Sequence, residues 1–172
     1  MKLPIRQSRL RIRKTRVKYI ILHHTVCQYP APDAKIDNPK FQVPALIGNV
    51  LEKKQADINF NFIVDKIKDD YQIITCRPFV ATCEFPDISN DINDAALHVA
   101  LMGSYDFKIP DNRLYEISAY RLINPLLKAF RITPNKIYLH YEISNNKEET
   151  CPGSFFNKEK MISMIRRFIV TK

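Results

Sequence analysis

The stretch VKYIILH, residues 17–23, continued by His24 and Thr25, decides how the chain is read. Its apolar, β-branched run has the composition of a buried strand. Side chains on a strand alternate between two faces, so Ile21, His23 and Thr25 share one face and Ile20, Leu22 and His24 the other. Only one of the two adjacent histidines can then point at a given site. Near the far end of the chain stand Leu139-His140-Tyr141-Glu142 and, after a polar loop, Thr150-Cys151-Pro152-Gly153. A histidine and a cysteine so separated can both reach one metal ion, and the histidine pair offers a third ligand. Two imidazoles and one thiolate leave a corner of a tetrahedral zinc open, the arrangement a hydrolytic zinc site needs.

Working outward, Phe60-Asn61-Phe62-Ile63-Val64 alternates as a strand does. Asp65 to Asp70 reads as a charged turn and Tyr71–Thr75 as the returning arm of a hairpin. Segment 77–95 is a long polar connection, and long loops in compact domains are often functional. Ala96 to Met102 is another apolar strand. Asp111 or Asn112 can cap a helix running to about Phe130, whose buried face is Leu114, Ile117, Tyr120, Ile123, Leu127 and Phe130. Pro125 lies inside it as a potential kink. Ile137–Leu139 forms a short strand that delivers His140. A last helix from about Asn157 to Ile169 turns Met161, Ile165 and Phe168 inward. Strands alternating with helices, plus one hairpin, predict an α/β single domain: a central mixed β-sheet flanked by α-helices.

The composition fits one globular domain, 45% hydrophobic and 26% charged over 172 residues. No apolar run approaches the length of a membrane span. The opening MKLPIRQSRLRIRK has no apolar core of a secretory signal, so we expect synthesis in the cytoplasm and later delivery. The net charge of +9 is concentrated early. Lys2, Arg6, Arg9, Arg11, Arg13, Lys14, Arg16 and Lys18 lie among residues 2–18 with no acid between them. We divide the chain into a basic arm, residues 1–16, and a domain, residues 17–172. The arm is either a tether to a polyanion or a solvated segment laid over the domain. No nucleic-acid reading module follows it, which argues against specific nucleic-acid binding. The four cysteines form no CxxC pair; Cys27, Cys76 and Cys83 read as small buried hydrophobes, Cys151 as a metal ligand.

Four pieces, ILHHT (21–25), DINFNFIVD (57–65), ALHVALMGSYD (96–106) and LHYE…TCPGSFF (139–156), stand in an order that resembles the zinc amidases. That family includes the peptidoglycan recognition proteins and the small phage amidase lysozymes. The resemblance implies one Zn2+ in a groove beside a mixed sheet, held by His23, His140 and Cys151. His24 is then a packed or hydrogen-bonded histidine. It further implies a helix near Val43–Lys53 beside the groove. The implied reaction is hydrolysis of the amide between N-acetylmuramic acid and L-alanine of the stem peptide, with peptidoglycan as partner and the cell wall or periplasm as place of action. The alternative is a non-catalytic peptidoglycan-binding module of the same fold, for instance in a phage particle or secreted antibacterial system.

The chain departs from that family in three ways. His140 and Cys151 are eleven positions apart, longer than the family's usual spacing, which a short insertion in the Asn145–Glu148 loop would absorb. The family's lysine or threonine two residues before the cysteine is here Glu149, with Lys147 or Thr150 as substitutes for its donor role. The family's active-site tyrosine corresponds to Phe60, and the acid that some members carry on a neighbouring strand corresponds to Ala100. We therefore expect catalysis from Glu149, Lys147 or His98, ligand support from Glu142 and Thr25, and a groove lined by Phe60, Asn61 and Thr150.

Overall fold

Alternation along the strands separates two packed faces of one mixed sheet. The computed structural model describes residues 10–25, 58–67 and 69–170. In these the strands are β1 (Tyr19–Thr25), β2 (Phe62–Ile67), β3 (Asp70–Thr75), β4 (Ala96–Met102) and β5 (Ile137–Leu139). Their order is β3-β2-β4-β1-β5; β2 and β3 form an antiparallel hairpin and the other pairs are parallel. Ile20, Leu22, Leu97, Val99, Leu101, Phe62 and Val64 face one way, into the main core. Leu114, Ile117, Ile123, Leu127, Met161 and Ile165 fill that core from the helices. The opposite face carries Ile21, His23, Ile63, His98 and Ala100, with smaller apolar clusters around Ile58, Ile74, Ile88 and Ala96.

The helical span after Asp111 is not one regular helix. It runs as α2 (Asn112–Ile117), a π-helical stretch Ser118–Ile123 and α3 (Asn124–Phe130). Asp111 caps it, its carboxylate accepting from the Leu114 N–H at 2.8 Å. Pro125 removes one backbone donor, and the wider turn before it absorbs the missing hydrogen bond without ending the rod. The connection 77–95 contains a short helix, α1 (Asn90–Ala95), capped by Ser89, which composition alone did not predict. The final helix, α4, spans Lys158–Val170 and buries Met161 and Ile165. The helix expected at Val43–Lys53 and Cys27 lie outside the described residues. Cys76, Cys83 and Cys151 are buried.

The described part of the basic arm lies against the domain. Ile12 forms a bridge with Ala81, and the Arg13 side chain donates to the carbonyls of Phe79, Ala81, Asp94 and Ala96. Both carboxylate oxygens of Asp94 accept from the Lys14 N–H. From Arg11 onward these residues are therefore part of the packed structure, for a physical reason: Arg13 donates to four carbonyls of the connection, α1 and the start of β4. No helix among the described residues is long and apolar enough to cross a membrane.

Candidate metal centre

The centre is assembled by strand register. In β1, His23 lies beside Ala100 of β4, and Ile21 beside His98. On the other flank Leu22 pairs with Leu139, the last residue of β5. The next residue, His140, therefore emerges next to His23, with ring centroids 4.6 Å apart. A 3-10 turn, His140–Glu142, starts there. The Glu142 carboxylate holds the turn by accepting from the Leu139 N–H at 2.8 Å and from Lys158.

Cys151 returns to this point through two local devices. Tyr141 N–H donates to its carbonyl at 3.0 Å, and the His24 N–H donates to its sulfur at 3.2 Å. The loop behind it packs so closely that Gly153, at φ +111°, admits no Cβ: one would sit 2.3 Å from the Tyr105 carbonyl carbon. Glycine is thus required after Cys151-Pro152 both by conformation and by contact. The result is that ligand atoms of His23, His140 and Cys151 all lie within 4.8 Å of one another, each from a buried residue.

The chemistry of this set suits a metal. Burial first, then the neighbouring imidazoles of His98, His140 and His24, holds His23 well below the usual histidine range, so its ring is neutral and its lone pair available. Its Nε2 lies 2.9 Å from His98 Nδ1. His140 Nε2 lies 2.8 Å from Asp87 Oδ2, close enough for an ion pair yet out of hydrogen-bond alignment. One nitrogen of each ring is thus turned to a neighbour, the usual manner in which a ligating histidine is oriented. The Cys151 thiol is pushed up to about 12, mainly by burial and further by Glu149, Asp106 and Asp87, against the opposing His24 N–H. Without a cation the sulfur keeps its proton; a cation at the cluster reverses that balance. The donor set, its convergence and its acidic surroundings all fit a zinc ion.

The remaining expected residues fall into two groups. Glu149 is at the cluster: its Oε1 accepts from the N–H groups of Thr150 and Cys151 at 3.1 and 2.9 Å, and its Oε2 is 3.9 Å from His140 Nδ1. Phe60 is also there, its ring 5.4 Å from that of His23 in an edge contact. Thr150 is exposed and donates to Asp106 at 3.1 Å. The others make different contacts. Lys147 is exposed on the loop and is not among the residues gathered at the cluster. His98 is fully buried and packs beside His23 rather than over the cluster. Asn61 is also fully buried: it braces His98 N–H and the Arg77 carbonyl instead of lining a groove. Glu142 caps the turn that begins at His140, and Thr25 donates to the Met102 sulfur. The carboxylate facing His140 is Asp87, pinned by the Ser144 hydroxyl at 2.6 Å. Phe85 stacks on His23 at 4.4 Å and on His98 at 4.7 Å. Both sit in the long connection 77–95; its length was the only signal pointing to them.

Comparison with known proteins bears on this geometry. A family model described as N-acetylmuramoyl-L-alanine amidase matches residues 13–154. No curated protein matches the sequence. Among solved structures, the N-acetylmuramoyl-L-alanine amidase LysC from Clostridium intestinale URNW is similar at a TM-score of 0.65 and 17% identity, over 96% of each chain. A selenomethionine derivative of AmpD reaches a TM-score of 0.69 at 15% identity, over 95% of this chain and 93% of that one. The complex of tracheal cytotoxin with peptidoglycan recognition proteins LCa and LCx gives 0.64 at 15%, over 91% and 87%. At such identities the structural likenesses speak to the fold.

Proposed function

The chain belongs to the N-acetylmuramoyl-L-alanine amidase family, and from that premise we propose that it is a zinc-dependent peptidoglycan hydrolase. Its bond is the amide between N-acetylmuramic acid and the L-alanine of the stem peptide. The observation that carries this reading is the convergence of His23, His140 and Cys151 within 4.8 Å. These three residues would hold the ion. When bound, zinc supplies a Lewis acid that polarises an amide carbonyl and makes water nucleophilic near neutral pH.

The chain's own residues supply the rest. Glu149 is tethered through Oε1 to two backbone N–H groups, which leaves Oε2 free to accept a proton from the attacking water and return it to the departing amine. Asp87 fixes the ring of His140. Phe60 and Phe85 cover the ring of His23 with apolar surface. The products are a lactyl carboxylate and a free L-alanine amine. Lytic action follows release or delivery of the protein to the wall.

A second reading, a module that binds peptidoglycan without turnover, is favoured by specific residues. Phe60 carries no hydroxyl, Ala100 beside His23 carries no carboxylate, and Glu149 stands where the family has a hydrogen-bond donor. One assay separates the two. Purified protein with zinc is added to bacterial sacculi, and free L-alanine amines on released stem peptides are measured. Release that disappears in Cys151→Ser supports the hydrolase; sedimentation with sacculi and no release supports the binder. The basic arm, residues 1–16, is the candidate tether to a wall polyanion. Deleting residues 1–9, which spares the packed Arg11 and Arg13, weakens salt-sensitive wall binding if it acts so, and unchanged binding rejects it.

A further inference from the structure

Resting on the reading of the cluster as a metal centre, we propose that His98 is a positioning residue that sets the proton of His23. It accepts a hydrogen bond from His23 Nε2–H and so keeps His23 Nδ1 bare for the metal. The two ring nitrogens are 2.9 Å apart. Between two neutral imidazoles one nitrogen donates and the other accepts. Were His98 the donor, the proton of His23 would sit on Nδ1 and neither of its nitrogens would offer a lone pair. Only acceptance by His98 leaves His23 able to ligate.

The surroundings of His98 are built for this one contact. The ring is wholly buried, and its other nitrogen, Nε2, has no hydrogen-bond partner among the described residues. Asn61 fixes the backbone on both sides of the residue, its Oδ1 accepting from the His98 N–H and its own N–H donating to the His98 carbonyl, each at 2.9 Å. Phe85 clamps the ring at 4.7 Å and 15°, and the same phenyl lies on His23 at 4.4 Å and 19°. A buried polar atom without a partner is costly, and an apolar side chain would fill this position with less penalty. The contact to His23 is what the imidazole offers in return. His98 lies one strand over and on the same face as His23, so register brings the pair together.

The test has two readouts, and neither needs turnover. Nitrogen-15 spectra of the zinc-loaded chain are expected to show His23 protonated at Nε2, with coupling across the bond to His98 Nδ1. Zinc affinity, measured by chelator competition, is expected to fall about 10–100-fold in His98→Leu, the range typical of partners that orient a ligand. His98→Asn, which places an amide oxygen where Nδ1 stood, is expected to recover most of that loss. Melting of the metal-free variants separates this pattern from general loosening of the fold, which would weaken both alike. His23 protonated at Nδ1, or wild-type zinc affinity in folded His98→Leu, overturns the proposal alone. A wild-type chain that takes up no zinc instead overturns the metal centre, and this assignment with it. If the leucine variant does not fold, the spectrum of the unaltered chain still decides.

Discussion

The two halves of the centre are built on opposite principles. The strand half, around His23, is dry and neutral: His98, Ala100, Phe60 and Phe85 surround the ring, and His98 and Ala100 are fully buried. The loop half, around His140 and Cys151, is acidic and open to water. Asp87, Asp106 and Glu149 are each about a quarter exposed at the side chain. The difference teaches how such a site divides labour. Parallel strands in fixed register give a ligand whose place and neutrality do not vary. Loops supply the charges, which gain from a cation and are free to exchange protons with substrate.

The strongest blow to this contrast is on the loop side. Cys151→Ser is expected to lower zinc affinity more than about 100-fold, beyond what loss of an orienting partner costs. The unaltered thiol, held near 12 without metal, must shed its proton on binding, whereas the depressed His23 has none to shed. Zinc affinity should therefore climb about tenfold per pH unit across neutral pH, and calorimetry in buffers of different ionisation enthalpy should register the released proton. A flat profile would mean the sulfur is not a ligand. Next in size, Glu149→Gln removes the proton acceptor while keeping the backbone hydrogen bonds. Turnover on sacculi should fall about 10²–10⁴-fold with zinc affinity nearly unchanged; undiminished release assigns the base elsewhere. Smaller again, Asp87→Asn should cost about 10–100-fold in zinc affinity by loosening His140. An effect equal to that of Cys151→Ser would make Asp87 a ligand.

Legibility in the sequence follows the same division. The strand half could be read because alternation is a property of the backbone. Parity separates His23 from His24, and it puts His98 and Ala100 on one face of β4. Cys151-Pro152-Gly153 could be read because a tight turn demands particular residues. The carboxylate that faces His140 could not. Asp87 reaches His140 across fifty-three positions of sequence, through a connection with no period, so nothing local distinguishes it from Glu142, which is closer in sequence and turns the other way to cap its own turn. The buried role of Asn61 comes from the backbone of β4 and the 77–78 turn, which only the tertiary structure brings near. The π-helical stretch was likewise hidden, since the apolar spacing of three and four is the same for a regular helix.

Asp65 tests whether the strand half is as intolerant of charge as it looks. It shares a face of β2 with Ile63 and is 1% exposed, and its Oδ1 has no hydrogen-bond partner among the described residues. Burial raises its carboxyl to about 6, against 3.8 for an ordinary aspartate. The folded state thus binds a proton more tightly than the unfolded chain does. Its contribution is fully present below about pH 4 and is lost as pH rises through about 6. By the shift itself that loss is at most about 3 kcal/mol near neutral pH. Asp65→Asn is expected to recover about 1–2 kcal/mol at pH 7.5, less than the ceiling because a buried amide left partly unpaired keeps some of the penalty. Denaturant melts of the two proteins from pH 4 to pH 7.5 should converge at the acid end and separate at the neutral end. Parallel curves would show that the carboxylate finds water or a cation in the folded chain, and the strand half would then be wetter than its aromatic lining suggests.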